Sequence, residues 1–252
     1  MAVASGVDAV FELPVVYATA SARDFAYAGV DLLNKLNTVD YLVFGAECDD
    51  LSLLESVAEI LIDEPASFSA CLKNNLAEGM SYPSARADAI KSCCPAGADL
   101  LKEPNNILAV EYLSALKKTH SSIKPYIIKR TSAGYNSEDI TGSICSASAI
   151  RHLLQETCMA HISEPDALFK TFYQVLPTAS ADLLKTDYLH TYPIFEDHLT
   201  SILQYCLIMQ NDAPDTVDMT EELYNKLKKT KLLQSYAAIA ESLKSKDLTQ
   251  TR

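Results

Sequence analysis

Three short β-branched, apolar runs separated by long stretches of helical periodicity constrain this chain most. Val7 to Leu13, Val39 to Phe44 and Ile123 to Arg130 each read as a buried strand. Between the first two, Ser21 and Asp24 form a capping box ahead of Phe25, Ala28, Leu32, Leu33 and Leu36, which recur at helical spacing. Between the second and third, Asp50 caps a helix through Leu53, Leu54, Val57, Ile60 and Leu61. Further helices are expected over Ala66 to Ala77, Pro83 to Lys91 and Asn106 to Lys118. Strands that alternate with helices predict a parallel sheet with helical crossovers, an α/β fold. Beyond Arg151 the strand signal fades. His152 to Ala160, Glu164 to Tyr173, Phe195 to Met209, Glu221 to Lys229 and Leu232 to Leu243 read as helices, with Asn211 to Asp218 a turn-rich linker.

Composition narrows the chemistry. The 252 residues carry a net charge of −12, which argues against indiscriminate binding to a polyanion, because backbone contacts to nucleic acid need clustered Lys and Arg. The seven cysteines are odd in number and form no C-x-x-C pair, the pattern of reduced thiols in a cytoplasmic protein. The five histidines never occur as H-x-x-x-H or H-E-x-x-H, so no zinc motif is visible. No apolar run reaches membrane-spanning length.

The chemistry-bearing residues cluster at strand ends and helix starts. Gly45 ends the strand in Phe44-Gly45-Ala46-Glu47, either as a routine turn or as the place where a base or ribose approaches the backbone. Asn105 and Asn106 follow Pro104 at a helix start. One can cap the helix while the other recognises a base or ribose, or both serve as cap and turn. Glu111, one turn on, orients an Asn or a water, or is a solvated helix residue. Arg130 ends the third strand beside Lys129, and only one of the two faces the crevice. Ser146, Ser148 and Arg151 in GSICSASAIR (142–151) combine helix-start N–H groups, hydroxyls and a guanidinium, as a phosphate pocket requires; the alternative is a plain helix cap. Arg130 and Arg151 could then bracket a triphosphate and stabilise charge during adenylyl transfer, though a surface ion pair remains open for Arg130. Cys145, at the same helix start, is expected to have a lowered pKa.

Taken together, GVDAVFELPVVYATASARDFAYAGVDLLNKL (6–36), VDYLVFGAE (39–47), GMSYPSARADA (79–89), EPNNILAVEYLSALKK (103–118), IKPYIIKRTSAGYN (123–136), GSICSASAIR (142–151), MTEELYNKLKK (219–229) and LKSKDLTQTR (243–252) resemble the bacterial tRNA(Met) cytidine acetate ligase family. The resemblance implies a Rossmann-like nucleotidyltransferase sheet over 1–159 followed by a mainly helical region over 160–252. It implies ATP, with Mg2+ as counter-ion, and acetate as co-substrates, and the wobble cytidine of elongator tRNA(Met) as acetyl acceptor. By the same resemblance Gly45 and Asn105, with Asn106 beside it, contact the adenosine part. Arg130 and Thr131 close over the nucleotide, and Ser146, Ser148 and Arg151 hold the phosphates. Ser148 stands where the family more often has Thr. The family's first strand and His-containing ATP loop lie upstream of the position matching Met1, and the family continues beyond TQTR. The expectation is therefore an N-terminally truncated, inactive or weakly active fragment. A small-metabolite adenylyl- or cytidylyltransferase, a non-catalytic nucleotide- or RNA-binding protein and a helical adaptor are the alternatives.

Overall fold

A computed structural model describes residues 1–130, 145–159, 166–209, 219–230 and 234–244. The chain divides into two compact units. One comprises Leu13–Thr131 with Lys244–Arg252; the other comprises Met1–Glu12 with Ser132–Leu243. The boundary expected at 159/160 thus differs from the spatial division, which falls at 131/132.

The first unit runs α1 (Val15–Ala18), α2 (Ala22–Leu36), β1 (Tyr41–Ala46), α3 (Leu51–Asp63), α4 (Ala66–Ala77), α5 (Tyr82–Cys93), α6 (Pro104–Lys118) and β2 (Lys124–Lys129). Local chemistry sets the helix starts. Ser21 Oγ accepts from the Asp24 N–H and Asp50 Oδ1 accepts from the Leu53 N–H, which satisfies first-turn donors in α2 and α3. At the other end of α3, Glu64 takes a left-handed conformation with φ of 43°. β1 and β2 pair in parallel, Tyr41 opposite Lys124 through Ala46 opposite Lys129, with α3 to α6 forming the long crossover a parallel pair requires. Phe44 and Ala46 point into a core with Leu54, Val57, Phe68, Ile90, Val110 and Leu113. Val30 of α2 packs with Ala115, Leu116 and Ile123 in a second cluster.

The expected strand Val7 to Leu13 is not a strand. Residues 7 to 13 form neither helix nor strand, and Val7, Val10 and Phe11 are exposed. An apolar run becomes a strand only where a neighbour accepts its N–H and C=O groups, and among the described residues β1 and β2 pair only with each other.

The second unit contains α7 (Ala147–Met159), α8 (Asp166–Val175), α9 (Thr178–Asp187), α10 (Thr200–Met209), α11 (Glu221–Lys228) and α12 (Tyr236–Leu243). Leu154, Leu168, Phe169, Phe172, Ala181, Leu184 and Tyr188 form its core, with Phe169 edge-on to both Phe172 and Tyr188. α9 was not anticipated; its sequence TASADLLKTD buries only Ala181 and Leu184, too few apolar positions to show a period. The expected helix Phe195 to Met209 begins as a 3-10 turn over Glu196–Leu199. The linker at 211–218 lies outside the described residues. Among the described residues no helix is long and apolar enough to cross a membrane.

Candidate functional site

Parallel pairing brings the carboxyl ends of β1 and β2 to one edge, where α/β folds place their ligands. Arg130 extends the ladder by one bond, its N–H donating to the Ala46 carbonyl at 2.9 Å. Alternation then separates the two cations. Lys129 pairs with Asp49 at 2.9 Å, and that ion pair raises the lysine pKa and lowers the aspartate's, chiefly through the hydrogen bond between them. Arg130 falls on the opposite, exposed face beside Gly45.

Gly45 is not the turn expected of it. It lies inside β1 opposite Ile128, because β2 continues far enough to pair Ala46 as well. Its value is space: a Cβ there would lie 3.5 Å from Arg130 Cγ and 3.9 Å from Cδ, so the arginine stem lies across the glycine. The glycine thereby lets the arginine stem run against the strand, with the guanidinium carried towards Glu47.

Glu47, the residue after β1, organises what surrounds it. Its Oε1 accepts from Asn105 Nδ2 at 2.5 Å and its Oε2 from the Asn106 N–H at 3.0 Å. Its Oε1 also lies 3.8 Å from Arg130 Nε, within ion-pair range but too far for a hydrogen bond. The carboxylate therefore serves as the missing cap of α6, whose own N-cap residue, Glu103, makes no side-chain capping bond. Neither asparagine caps the helix, contrary to expectation. Pro104 starts α6 two residues earlier than expected, which moves both into the first turn. Asn106 is 3% exposed and its Oδ1 accepts from the Cys48 N–H at 2.9 Å, a structural role that ties β1's exit to α6. Asn105 is half-buried, its amide oriented by Glu47. Glu47 had no role assigned from sequence. The available signal was an acidic residue directly after a strand, in a chain where the later helix α6 lacks a capping side chain of its own.

Glu111 is also corrected. It is buried rather than solvated, and Arg86 Nη2 donates to its Oε1 at 2.5 Å.

In the other unit, Ser146 Oγ accepts from the Ala149 N–H at 3.0 Å and so caps α7. Arg151 Nη2 donates to Ser148 Oγ at 3.4 Å, a bond that holds the guanidinium over the first turn. These three residues share one helix start, as the sequence suggested. Thr131 and residues 142–144 lie outside the described residues. Burial pushes the Cys145 thiol up, the reverse of the expected lowering. Among the described residues no three His, Cys, Asp or Glu side chains converge as a metal site.

Comparison with known proteins identifies the family. The family model described as HIGH Nucleotidyl Transferase matches residues 1–252. The tRNA(Met) cytidine acetate ligase of Acetivibrio thermocellus is 35% identical over 261 residues, which cover 100% of this chain and 61% of the relative. That of Clostridium kluyveri is 36% identical over 262 residues, covering 100% and 62%. The chain thus spans about three-fifths of these relatives' length. Among solved structures, apo Thermotoga maritima TmcAL superposes with a TM-score of 0.83 at 29% identity, covering 98% of this chain and 58% of that one. The same protein bound with alpha-thio ATP gives 0.80 at 28% identity, covering 99% and 58%.

Proposed function

The chain belongs to the HIGH nucleotidyl transferase family, and from that premise we propose that it is part of an ATP-dependent ligase that activates acetate and acetylates elongator tRNA(Met). The observation that carries this reading is the grouping of Gly45, Asn105 and Arg130 around Glu47 at the carboxyl ends of the strands. The strand end at Gly45 receives the adenosine part, the oriented Asn105 amide reads its polar edge, and Arg130 offers donors to the phosphates. Among the described residues the Arg130 guanidinium makes no hydrogen bond, and its side chain is 35% exposed. By itself, the start of α7 has the composition of a phosphate-binding element, with N–H groups, the hydroxyls of Ser146 and Ser148 and the charge of Arg151. Mg2+ enters with the triphosphate as its counter-ion.

In the proposed reaction an acetate oxygen attacks the α-phosphorus and the bond to the β-phosphate oxygen breaks, giving acetyl-adenylate and pyrophosphate. The exocyclic amine of the wobble cytidine then attacks the acetyl carbonyl, loses a proton and expels AMP. Arg130 acts in the first step by neutralising charge that builds on the phosphates.

The names of the Acetivibrio and Clostridium relatives support the tRNA and acetate assignments, and the alpha-thio ATP complex of the Thermotoga protein supports the nucleotide. The test is calorimetric titration of this chain with ATP. Arg130→Ala is expected to weaken binding about tenfold or more, as loss of a charge-assisted contact does, and Arg130→Lys to restore only part of it. Binding unaffected by Arg130→Ala would overturn the nucleotide site. A small-metabolite nucleotidyltransferase is the second reading, favoured by the net charge of −12. It predicts ATP binding that tRNA(Met) leaves unchanged.

A further inference from the structure

A cavity of about 520 Å³ lies between α2, α5 and α6, apart from the Glu47 cluster, and shares no residue with it. Ser114, in its wall, is nine residues along α6 from Asn105, a helix rise of about 14 Å. A smaller cavity of about 200 Å³ shares Arg23, Glu111, Ser114 and Lys118 with it.

Ser114 is the decisive residue. It is 6% exposed, and its Oγ is the one buried side-chain polar atom without a hydrogen-bond partner among the described residues. A helical serine or threonine ordinarily donates to the carbonyl four residues back. Ser56, Thr119 and Thr157 all do so here, each at 2.8 Å. Ser114 does not, and leaving a hydroxyl unpaired in a buried wall is unfavourable unless something else fills the valence.

The surrounding charge indicates what that is. Arg23, Arg86 and Lys118 line the cavity together with the carboxylates of Glu64 and Glu111, so cations exceed carboxylates by one. Arg86 is held by Glu111, whereas Arg23 and Lys118 have no carboxylate partner among the described residues. The first turn of α2, a 15-residue helix, opens onto the same space with its positive end. Phe68 and Ile107 add apolar lining. We infer that this cavity is a second ligand site, for a small molecule bearing an oxyanion, either a carboxylate or a phosphate monoester. Arg23 and Lys118 bind the anion, and the Ser114 hydroxyl donates to an acceptor on it. Arg86, fixed by Glu111, positions the remaining face.

The test is amide chemical-shift mapping on the 252-residue chain, with acetate and succinate in one arm and inorganic phosphate and AMP in the other. The site predicts saturable shifts at Ala22, Arg23, Ser114 and Lys118 in at least one arm, and the arm that saturates assigns the class. Ser114→Ala removes an unpaired hydroxyl and leaves the fold intact, yet it is expected to weaken binding about fivefold, the loss of one hydrogen bond. Arg23→Gln is expected to weaken it further. Absence of shifts at these amides in both arms overturns the inference, as do shifts that neither substitution alters. ATP titration of the Arg23→Gln variant separates the two sites: unchanged ATP affinity leaves the nucleotide reading standing whatever happens here.

Discussion

Glu47 holds the amino end of α6 with both carboxylate oxygens and orients Asn105 while doing so, so stability and recognition meet in one side chain. Glu47→Gln replaces one acceptor by a donor that faces an N–H. We expect a loss of about 1–2 kcal/mol of stability, seen as a lower melting temperature. ATP affinity should weaken with it, because Asn105 loses its orientation. The Arg86–Glu111 pair behaves differently. With side chains 19% and 6% exposed, removal of one partner leaves a buried charge. Arg86→Met is expected to cost about 3 kcal/mol or more, whereas Arg86→Met with Glu111→Leu recovers most of the loss. Denaturant melts of the three proteins check this. A double variant as unstable as the single one would show that the pair contributes through packing. Neither role is written in local sequence. Glu111 sits in a helix at a position that reads as solvated, and only the approach of Arg86 from α5 makes it a core residue.

The helices show how far local chemistry reaches. α4 spans Ala66–Ala77, as the sequence predicted, and the caps at Ser21 and Asp50 stand where sequence placed them, since both depend on bonds within one turn. The Asp50 cap gives a pH test. Its carboxylate accepts from Ser52 Oγ at 2.6 Å and from the Leu53 N–H at 3.1 Å, and these bonds, the Ser52 bond first, hold its pKa below the ordinary carboxylate value. A group whose folded pKa is depressed stabilises fully above its unfolded pKa and loses that contribution as pH falls through the folded value. Asp50→Ala should therefore lower the melting temperature at neutral pH, and the gap from the parent chain should close below about pH 4. A gap independent of pH would show that the charge is irrelevant to the cap. At the 3-10 turn Pro95–Gly97, Gly97 is buried, and a Cβ there would sit 2.5 Å from Val57 Cγ2. Gly97→Ala is expected to cost about 1–3 kcal/mol by forcing α3 aside, readable by chemical denaturation.

At the scale of the whole chain, two units have separate cores, one around Leu54 and one around Phe172, both fully buried. Leu54→Ala and Phe172→Ala should each cost about 3–5 kcal/mol. Hydrogen exchange should report the loss within the substituted unit alone. Protection lost equally across both would mean that the cores unfold as one. The spatial division at 131/132 assigns α7 and its serine-rich start to the helical unit, whereas the expected boundary lay at 159/160.

The sequence by itself determined the α/β class, the order of most helices, the strands expected at Val39 to Phe44 and Ile123 to Arg130, and the residue types proposed to bind a nucleotide. Each follows from periodicity or from bonds that span a single turn. Only the tertiary structure decided that Val7 to Leu13 is not a strand, that Gly45 lies within β1 rather than after it, and that Glu47 rather than an asparagine caps α6. Those outcomes depend on partners remote in the chain. A strand exists only where another accepts its hydrogen bonds, and a helix end takes whichever carboxylate the fold brings to it.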